Sequence, residues 1–293
     1  MKRTVKLSQI ADSREVRLLI GRALKEDIGA GDVTTRSLVP VSAKAEAVVL
    51  SRGDCLVSGT TIAAAVFRKV DRNLKVRILV ADGRPVKCDD VIMTVSGRAG
   101  SILTAERTAL NFMQRMTGIA TLTGKFVAEA KRYGVTILDT RKTTPGLRVI
   151  EKYAVLCGGG MNHRMGLHDM ALIKDNHRSL WAGCGAGDLG EAVAVIRRKY
   201  RGLPVEVEVE TESELLSALK GSPEWILLDN MKPDMMRECV KLCAGRSRLE
   251  ASGGITLANV ESVARTGVDA ISLGCLTHSA PAADLSLELN VPG

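Results

Sequence analysis

The chain has 293 residues, of which 45% are hydrophobic and 25% are charged, and its formal net charge is +8. This composition is typical of a globular protein, and no apolar run approaches the ~20 residues of a membrane-spanning helix. The amino-terminal residues lack the apolar stretch of a signal peptide, so we expect no membrane association and a cytoplasmic location. Basic residues are dispersed and only 3% of residues are aromatic, which argues against nucleic acid as a partner and favours small anions.

The first part of the chain mixes helical and strand-like patterns. Apolar spacing over 13–26 predicts an amphipathic helix with Ser13 or Asp12 as its N-cap. Strand-like segments bounded by glycines follow at 45–52, 74–82 and 91–97. Two further helices are predicted over 102–116 and 119–133, each followed by a glycine. Together these patterns indicate a small α+β unit.

After about residue 135, short apolar runs alternate with helical segments. The helical segments are 190–200, 212–220, 233–244 and 256–266. The apolar runs end in polar residues. Four of these recur about every 20 residues, namely Glu208, Asp229, Ser252 and Ser272. This spacing indicates successive βα units in a parallel sheet or barrel. Because the carboxyl ends of such strands face one mouth, we expect these residues to assemble a site. The segment 284–289 alternates like a half-buried strand that returns to the first unit.

Residues of three chemical kinds lie at the predicted strand ends. The cationic residues are Arg141, Lys142, His163, Arg164 and Lys174. Several cations at one mouth suit a dianionic substrate, since guanidinium groups bind carboxylates in a fork. Glu208 and Asp229 suit magnesium or ribose hydroxyls. The turns 252–254 and 272–274, which read SGG and SLG, offer backbone N–H groups to a phosphate.

Taken singly, these residues also have simpler interpretations. Solvated loop, snorkelling or turn positions would account for Arg141, Lys142, Lys174 and His278. Glu206, Glu208 and Glu210 alternate with valines, so on an edge strand their shared face would simply be exposed to solvent. Inside a barrel the same face points to the lumen, where such closely spaced charges need a cation. The joint placement of these residues, rather than any one of them, predicts a site.

Residues 139–177 read DTRKTTPGLRVIEKYAVLCGGGMNHRMGLHDMALIKDNH. This segment closely resembles the hallmark stretch of quinolinate phosphoribosyltransferases, also called nicotinate-nucleotide pyrophosphorylases (carboxylating). Other segments resemble the family in the same order, so that the resemblance covers roughly residues 14–290. They are EDIGAGDVTT (26–35), AERTALNFMQRMTGIAT (105–121), VEVEVETESEL (205–215), ILLDNMKPDMM (226–236), LEASGGIT (249–256) and THSAPAADLSLEL (277–289).

The resemblance implies a two-domain α/β fold. Residues 1–115 would form an open-faced α/β sandwich that residues 279–293 complete, and residues 116–278 would form an incomplete α/β (TIM-like) barrel. It also implies a homodimer, sometimes assembled further, with shared active sites. In that dimer the amino-terminal domain of one subunit caps the barrel mouth of the other.

The implied reaction transfers the 5-phosphoribosyl group of phosphoribosyl pyrophosphate (PRPP) to quinolinate with decarboxylation. The products are nicotinate mononucleotide, pyrophosphate and CO2, a step of NAD biosynthesis, and Mg2+ accompanies PRPP. The implied quinolinate pocket contains Arg141, Lys142, His163, Arg164 and Lys174, with Arg107 from the neighbouring subunit. Glu208 and Asp229 would be the ribose and magnesium carboxylates and, with Lys142 and Lys174, the catalytic groups. The phosphate-holding turns would be Ser252, Gly253, Gly254, Ser272, Leu273 and Gly274, with His278 nearby.

Two departures and two rival functions accompany this interpretation. Met161 stands where many relatives have histidine, and the segment 177–193 is a few residues longer than usual. A ModD-like pyrophosphorylase would act on another acceptor, although the intact TTPG and NHR elements argue against it. A protein that binds an anion or a nucleotide without catalysis would leave Glu208 and Asp229 without an evident role.

Overall fold

The computed structural model describes residues 7–185 and 187–290, and the chain divides into two compact units. The amino-terminal unit contains the chain up to Gly124, together with Thr143–Gly159 and the residues from Cys275 onward. The barrel unit contains Lys125–Lys142 and Gly160–Gly274. The predicted domain boundaries stay a prediction, and their residues 1–6, 186 and 291–293 lie outside the described part.

The regular elements follow in chain order. The α-helices are α1 (Arg14–Ile28), α2 (Val33–Leu38), α3 (Thr60–Val70), α4 (Ala99–Ala130), α5 (Arg148–Cys157), α6 (Asp175–Gly183), α7 (Leu189–Lys199), α8 (Glu212–Leu219), α9 (Pro233–Cys243), α10 (Val260–Ala264) and α11 (Cys275–His278). The strands are β1 (Lys44–Ser51), β2 (Cys55–Leu56), β3 (Lys75–Ile78), β4 (Pro85–Val86), β5 (Val91–Arg98), β6 (Thr136–Leu138), β7 (Ala171–Ile173), β8 (Val205–Val209), β9 (Trp225–Asp229), β10 (Arg248–Ser252), β11 (Ala270–Ser272) and β12 (Leu285–Asn290). Two 3-10 helices cover Leu7–Asp12 and Lys131–Tyr133.

The amino-terminal unit is built on an antiparallel sheet with the strand order β12-β1-β5-β3. Ala45, Ala47 and Val49 alternate along β1 and are buried, which places the core on one face of the sheet. The predicted helix over 13–26 is confirmed as α1, and the Ser13 hydroxyl accepts the backbone N–H of Val16 at 3.2 Å. The strand predicted at the carboxyl end is also confirmed, since β12 pairs with β1.

One long helix replaces the two helices predicted over 102–116 and 119–133. Gly118 lies inside α4 instead of ending a helix. A Cβ at this position would lie 1.9 Å from the carbonyl oxygen of Pro281, so the glycine permits a close backbone approach. Sequence reasoning took a packing glycine for a helix terminator.

The strand predicted over 74–82 is shorter than expected. The backbone N–H groups of Leu79 and Val80 both point to the carbonyl of Ile92, at 2.9 and 3.1 Å, and this irregularity ends the regular pairing of β3. In the part of the chain that the structure describes, no helix is long and apolar enough to cross a membrane.

The barrel unit contains a parallel sheet with the strand order β6-β11-β10-β9-β8-β7. The predicted βα units and the incomplete barrel are therefore confirmed, with β6 and β7 at the two edges of the sheet. Buried aliphatic residues alternate with site residues along the strands, as Val207 does between Glu206 and Glu208 on β8.

The helix predicted over 256–266 is reduced to α10. The Asn259 side chain accepts the backbone N–H of Thr256 at 2.7 Å and donates to the carbonyl of Gly254 at 3.0 Å. These hydrogen bonds hold residues 254–259 as a turn, because an asparagine side chain competes with helical backbone pairing. The glycine turn after β10 is thus not the first turn of a helix.

Candidate active site

The carboxyl ends of three neighbouring strands bring predicted site residues into one row. Asp229 pairs in register with Ser252, and Ser252 pairs with Ser272. Ser272 in turn aligns with the last residue of β6. The loop that leaves β6 carries Arg141 and Lys142, so these cations start from the same edge of the sheet.

Asp139, which sequence reasoning missed, orders the loop that carries two predicted cations. Its buried carboxylate accepts the Asn162 side-chain amide at 2.6 Å and the backbone N–H of His163 at 2.9 Å. Hydrogen bonds to a carboxylate are stronger than neutral ones, so they hold His163 and Arg164 at the strand ends. The signal for this role is a carboxylate directly after an apolar strand and two residues before Arg141.

Arg164 places a positive charge in a buried position. Arg164 as a whole residue is 7% exposed, and its Nη1 donates to the carbonyl of Met170 at 3.0 Å. Burial lowers the pKa of the Arg164 guanidinium, and the charge of nearby Arg141 lowers this pKa further. Two guanidinium groups that repel each other in a buried place suit an anion with more than one carboxylate.

His163 faces two buried carboxyl groups inside the barrel. Its Nε2 lies 2.9 Å from Glu206 Oε2 and 3.5 Å from Glu250 Oε2. Burial raises the pKa of both carboxyls, and the charge of Glu206 raises that of Glu250 further. Because β8 pairs with strands on both sides, the interpretation of Glu206 and Glu208 as solvent-exposed residues of an edge strand is wrong. Sequence reasoning missed Glu250, whose position two residues before Ser252 puts it on the same strand face.

These three groups lie close enough together to hold a cation, since one ligand atom of each lies within 4.8 Å of the others. The hydrogen bonds of His163 argue against this. Its Nδ1 accepts the backbone N–H of Arg164 at 2.8 Å, so its ring proton lies on Nε2 and points to Glu206. A nitrogen that donates its proton does not coordinate a metal.

Glu208 lies one layer closer to the mouth and contacts Lys174. The Lys174 Nζ is 3.4 Å from Glu208 Oε2, and the backbone N–H of Asp175 is 3.4 Å from Oε1. Burial raises the pKa of Asp229, and the charge of Glu208 raises it further. Carboxylate oxygens are ligands that magnesium prefers, and two carboxylates that repel each other gain from a cation between them. Glu208 and Asp229 therefore fit a magnesium ion.

The glycine turn after β10 is packed against a side chain that also holds Asp229. Gly253 has φ +93°, and a Cβ there would lie 2.1 Å from Asn230 Oδ1. Asn230 donates from Nδ2 to Asp229 Oδ2 at 2.9 Å and from its backbone N–H to the carbonyl of Ser252 at 2.9 Å. Sequence reasoning missed Asn230, which connects the carboxylate of β9 to the turn of β10.

The second predicted turn is partly used by the sheet. Ser272 and Leu273 are buried, and the backbone N–H of Leu273 donates to the carbonyl of Leu138 at 2.9 Å. That N–H is therefore engaged and does not point to a phosphate. The structure places Arg107 and His278 in the amino-terminal unit, exposed on α4 and at the end of α11. The individual roles of the site residues stay predictions.

Comparisons with known proteins match both parts of the chain to one family. Residues 32–117 match the family model "Quinolinate phosphoribosyl transferase, N-terminal domain". Residues 119–288 match "Quinolinate phosphoribosyl transferase, C-terminal domain".

Similar proteins agree with the family models over most of the chain. Quinolinate phosphoribosyltransferase [decarboxylating] 1 of Nicotiana glauca is 44% identical over 292 residues, which are 94% of this chain and 83% of the relative. The chloroplastic nicotinate-nucleotide pyrophosphorylase [carboxylating] of Arabidopsis thaliana is 43% identical over 296 residues, with 94% and 83% covered. The solved nicotinate-nucleotide pyrophosphorylase of Francisella tularensis superposes with a TM-score of 0.89 at 36% identity, covering 98% of both chains. The chain belongs to the quinolinate phosphoribosyltransferase family.

Proposed function

We propose that this protein transfers the 5-phosphoribosyl group of PRPP to quinolinate with decarboxylation, giving nicotinate mononucleotide, pyrophosphate and CO2. The proposal rests on one observation. The buried Arg164 lies near Arg141, and Glu208 and Asp229 lie at the carboxyl ends of strands in the same unit. This edge offers cations for a dicarboxylate and carboxylates for a sugar. The relatives described above are named for quinolinate or for nicotinate nucleotide, so they lend no support to a different acceptor.

The acceptor half of the site binds quinolinate through its two carboxylates. Arg141 and Arg164 each offer a planar fork of N–H donors that matches a carboxylate. His163, fixed by Asp139 and Glu206, holds the backbone from which Arg164 extends. Quinolinate thereby relieves the repulsion between two neighbouring guanidinium groups, which gives its binding an electrostatic contribution.

The donor half of the site binds PRPP. Glu208 and Asp229 would hold the ribose hydroxyls and a magnesium ion, which supplies positive charge against the pyrophosphate. Lys142 and Lys174 add further positive charge to the leaving group. The turn of Ser252 to Gly254 offers backbone N–H groups to the 5-phosphate.

The reaction follows from bringing the two halves together. The pyridine nitrogen of quinolinate forms a bond to the anomeric carbon as the bond to pyrophosphate breaks, and Asp229 and Glu208 stabilise the positive charge on the sugar. The ribosylated ring nitrogen is cationic, so it stabilises the electron pair that stays on the neighbouring ring carbon when the carboxylate on that carbon leaves as CO2. The ring carbon then takes up a proton. Alignment of the two reactants supplies a large part of the acceleration.

The assembly and location of the enzyme extend this proposal. A homodimer would add Arg107 of one subunit to the site of the other, and His278 would contribute near the phosphates. The cytoplasmic location stays a prediction.

Purified protein incubated with quinolinate, PRPP and magnesium should form nicotinate mononucleotide, detected by chromatography. A parallel reaction replaces quinolinate with nicotinate and should give no product, because the pocket is built for two carboxylates. Product from both acids would mean that the cationic pocket is less selective than proposed. No product from folded protein with either acid would refute the assignment of the acceptor.

A further inference from the structure

A partly buried ion pair lies outside the strand-end site, in the amino-terminal unit. Arg115 on α4 directs Nε and Nη2 to Glu151 Oε1 on α5, at 3.1 and 2.8 Å. The Glu151 side chain is fully buried, whereas that of Arg115 is 25% exposed. Nothing in the proposed chemistry uses either residue.

Glu151 also holds the backbone that follows Lys142. Its Oε2 accepts the backbone N–H of Thr144 at 3.0 Å, and its Oε1 accepts the Thr144 hydroxyl at 2.8 Å. The preceding Thr143 hydroxyl accepts Arg148 Nε at 3.0 Å. The segment that begins one residue after a proposed catalytic lysine is therefore tied to helix α5.

Arg115 holds a second segment, on either side of His278. Its Nη1 donates to the carbonyl of Ala280 at 3.0 Å, and its Nη2 donates to the carbonyl of Thr277. Carbonyl groups on both flanks of the histidine thus bind one guanidinium group. A guanidinium group has donors in a fixed planar arrangement, so it sets the relative position of the groups it binds.

Burial of this pair is not explained by stability alone. A buried ion pair is often replaceable by apolar residues of similar volume without loss of stability, because desolvation offsets much of the charge attraction. Here Arg115 and Glu151 also form hydrogen bonds with two other segments. One segment follows Lys142, and the other surrounds His278. The pair therefore has a geometric consequence that an apolar replacement would lack.

We propose that Arg115 and Glu151 are positioning residues, which hold the backbone after Lys142 and around His278 in one arrangement without touching a substrate. This inference rests on the proposed phosphoribosyl transfer, in which both segments serve the PRPP side of the site. Loss of the pair should weaken the use of PRPP more than the binding of quinolinate.

Steady-state kinetics of Glu151→Gln and Arg115→Lys test the proposal. Glu151→Gln removes the negative charge, and Arg115→Lys removes the planar fork of donors, while each variant keeps much of the side-chain volume. We expect kcat/KM for PRPP to fall about tenfold or more in each. The KM for quinolinate should change by no more than about twofold. Equal effects on both substrates would overturn the proposal.

Two controls separate positioning from stability. Tyr153→Phe removes a partly buried hydrogen bond to Asp82, 2.7 Å long, from the same helix α5, and it should lower the melting temperature without a selective effect on PRPP. The double variant Arg115→Met with Glu151→Leu should stay folded and still be impaired with PRPP. Recovery of both stability and activity in the double variant would mean that the pair is merely structural.

Hydrogen–deuterium exchange gives a readout that does not depend on the reaction. In folded Glu151→Gln, peptides that cover residues 143–146 and 276–281 should exchange faster than in the parent, while β8–β10 peptides should not change. Unchanged exchange in both segments would refute the positioning role. A parent protein that forms no nicotinate mononucleotide would refute the proposed function instead, and the exchange result would still decide whether the pair holds these segments.

Discussion

At the scale of single residues, the site contains side chains that lie near groups of the same charge. Arg164 is buried next to another guanidinium group, and Asp229 is held near another carboxylate. Like charges repel more strongly where water is partly excluded, and the charges of Glu206 and Asp169 near Arg164 and of Lys174 near Asp229 act in the opposite sense. A bound ligand of opposite charge would add to that compensation.

Replacing Arg164 with alanine should weaken quinolinate binding far more than PRPP binding. Removal of one charged partner of a buried anion costs about 2–5 kcal/mol. Calorimetric titration of each ligand measures the two losses, and Arg197→Ala serves as a control because its guanidinium pairs with Glu224 at the surface. Similar losses for both ligands would contradict the assignment of Arg164 to the acceptor.

Gly253→Ala should raise the KM for PRPP. The new methyl group would collide with Asn230 Oδ1 and displace the side chain that donates to Asp229. Gly202→Ala is the matched control, since its backbone is also left-handed, no atom lies within 4 Å of the added Cβ, and it has no part in the proposed site. The control should show only the strain of about 1 kcal/mol that a left-handed alanine carries. A larger rise in the KM for PRPP in Gly202→Ala than in Gly253→Ala would exclude this explanation.

At the scale of helices and strands, local patterns could be predicted from the sequence, whereas long-range packing could not. The spacing of apolar residues indicated α1 and the parallel strands, because apolar side chains recur at the positions that face the core. Gly118 could not be interpreted in this way, since the reason for it is a backbone carbonyl of Pro281 that lies far away in sequence. Glu250 and Asn230 were missed for the same reason, since Glu250 faces His163 and Glu206 and Asn230 binds Ser252, all of them distant in sequence.

Gly118→Ala should destabilise the protein by a few kcal/mol. The added Cβ would lie 1.9 Å from the Pro281 carbonyl oxygen, so the segment 281–282 must move away from α4. Gly21→Ala in α1 is the control, because nothing lies within 4 Å of its Cβ and alanine favours a helix by about 1 kcal/mol. Thermal unfolding should show a lower melting temperature for the first variant and an equal or higher one for the second. A Gly118→Ala protein as stable as the parent would mean that the segment 281–282 can move away from α4 at little cost in free energy.

The facing carboxyls of β8 and β10 should make stability fall as the pH rises. Burial raises the pKa of Glu206 to about 7 and that of Glu250 to about 8, so the folded protein binds more protons than the unfolded chain. Stability from this source is complete below the ordinary carboxyl pKa and is lost as the pH rises through the folded values. Urea unfolding at pH 6 and pH 9 should show the difference, and Glu250→Gln should reduce it. A pH-independent parent would argue that the pair is neutralised in another way.

At the scale of the whole molecule, the proposed dimer makes a prediction of its own. If Arg107 of one subunit completes the site of the other, Arg107→Ala and Lys142→Ala proteins should each be inactive but should complement when mixed. Random exchange makes half of the dimers hybrids with one intact site each, so about a quarter of the parent activity should return. Activity measured before and after unfolding and refolding the mixture provides the comparison. Absence of complementation, with subunit exchange shown by mass spectrometry, would indicate that each subunit works alone.

The pairing of β12 with β1 has a consequence for the biosynthesis of the protein. A ribosome that has completed β1, β3 and β5 has not yet made the strand that covers the free edge of β1. During translation of the whole barrel, that edge remains open to pairing with other nascent chains. Only when residues 285–290 emerge can the first sheet be completed. The order of synthesis therefore places the last folding step of the amino-terminal unit after the barrel strands have been made, and chaperone demand should be greatest in that interval.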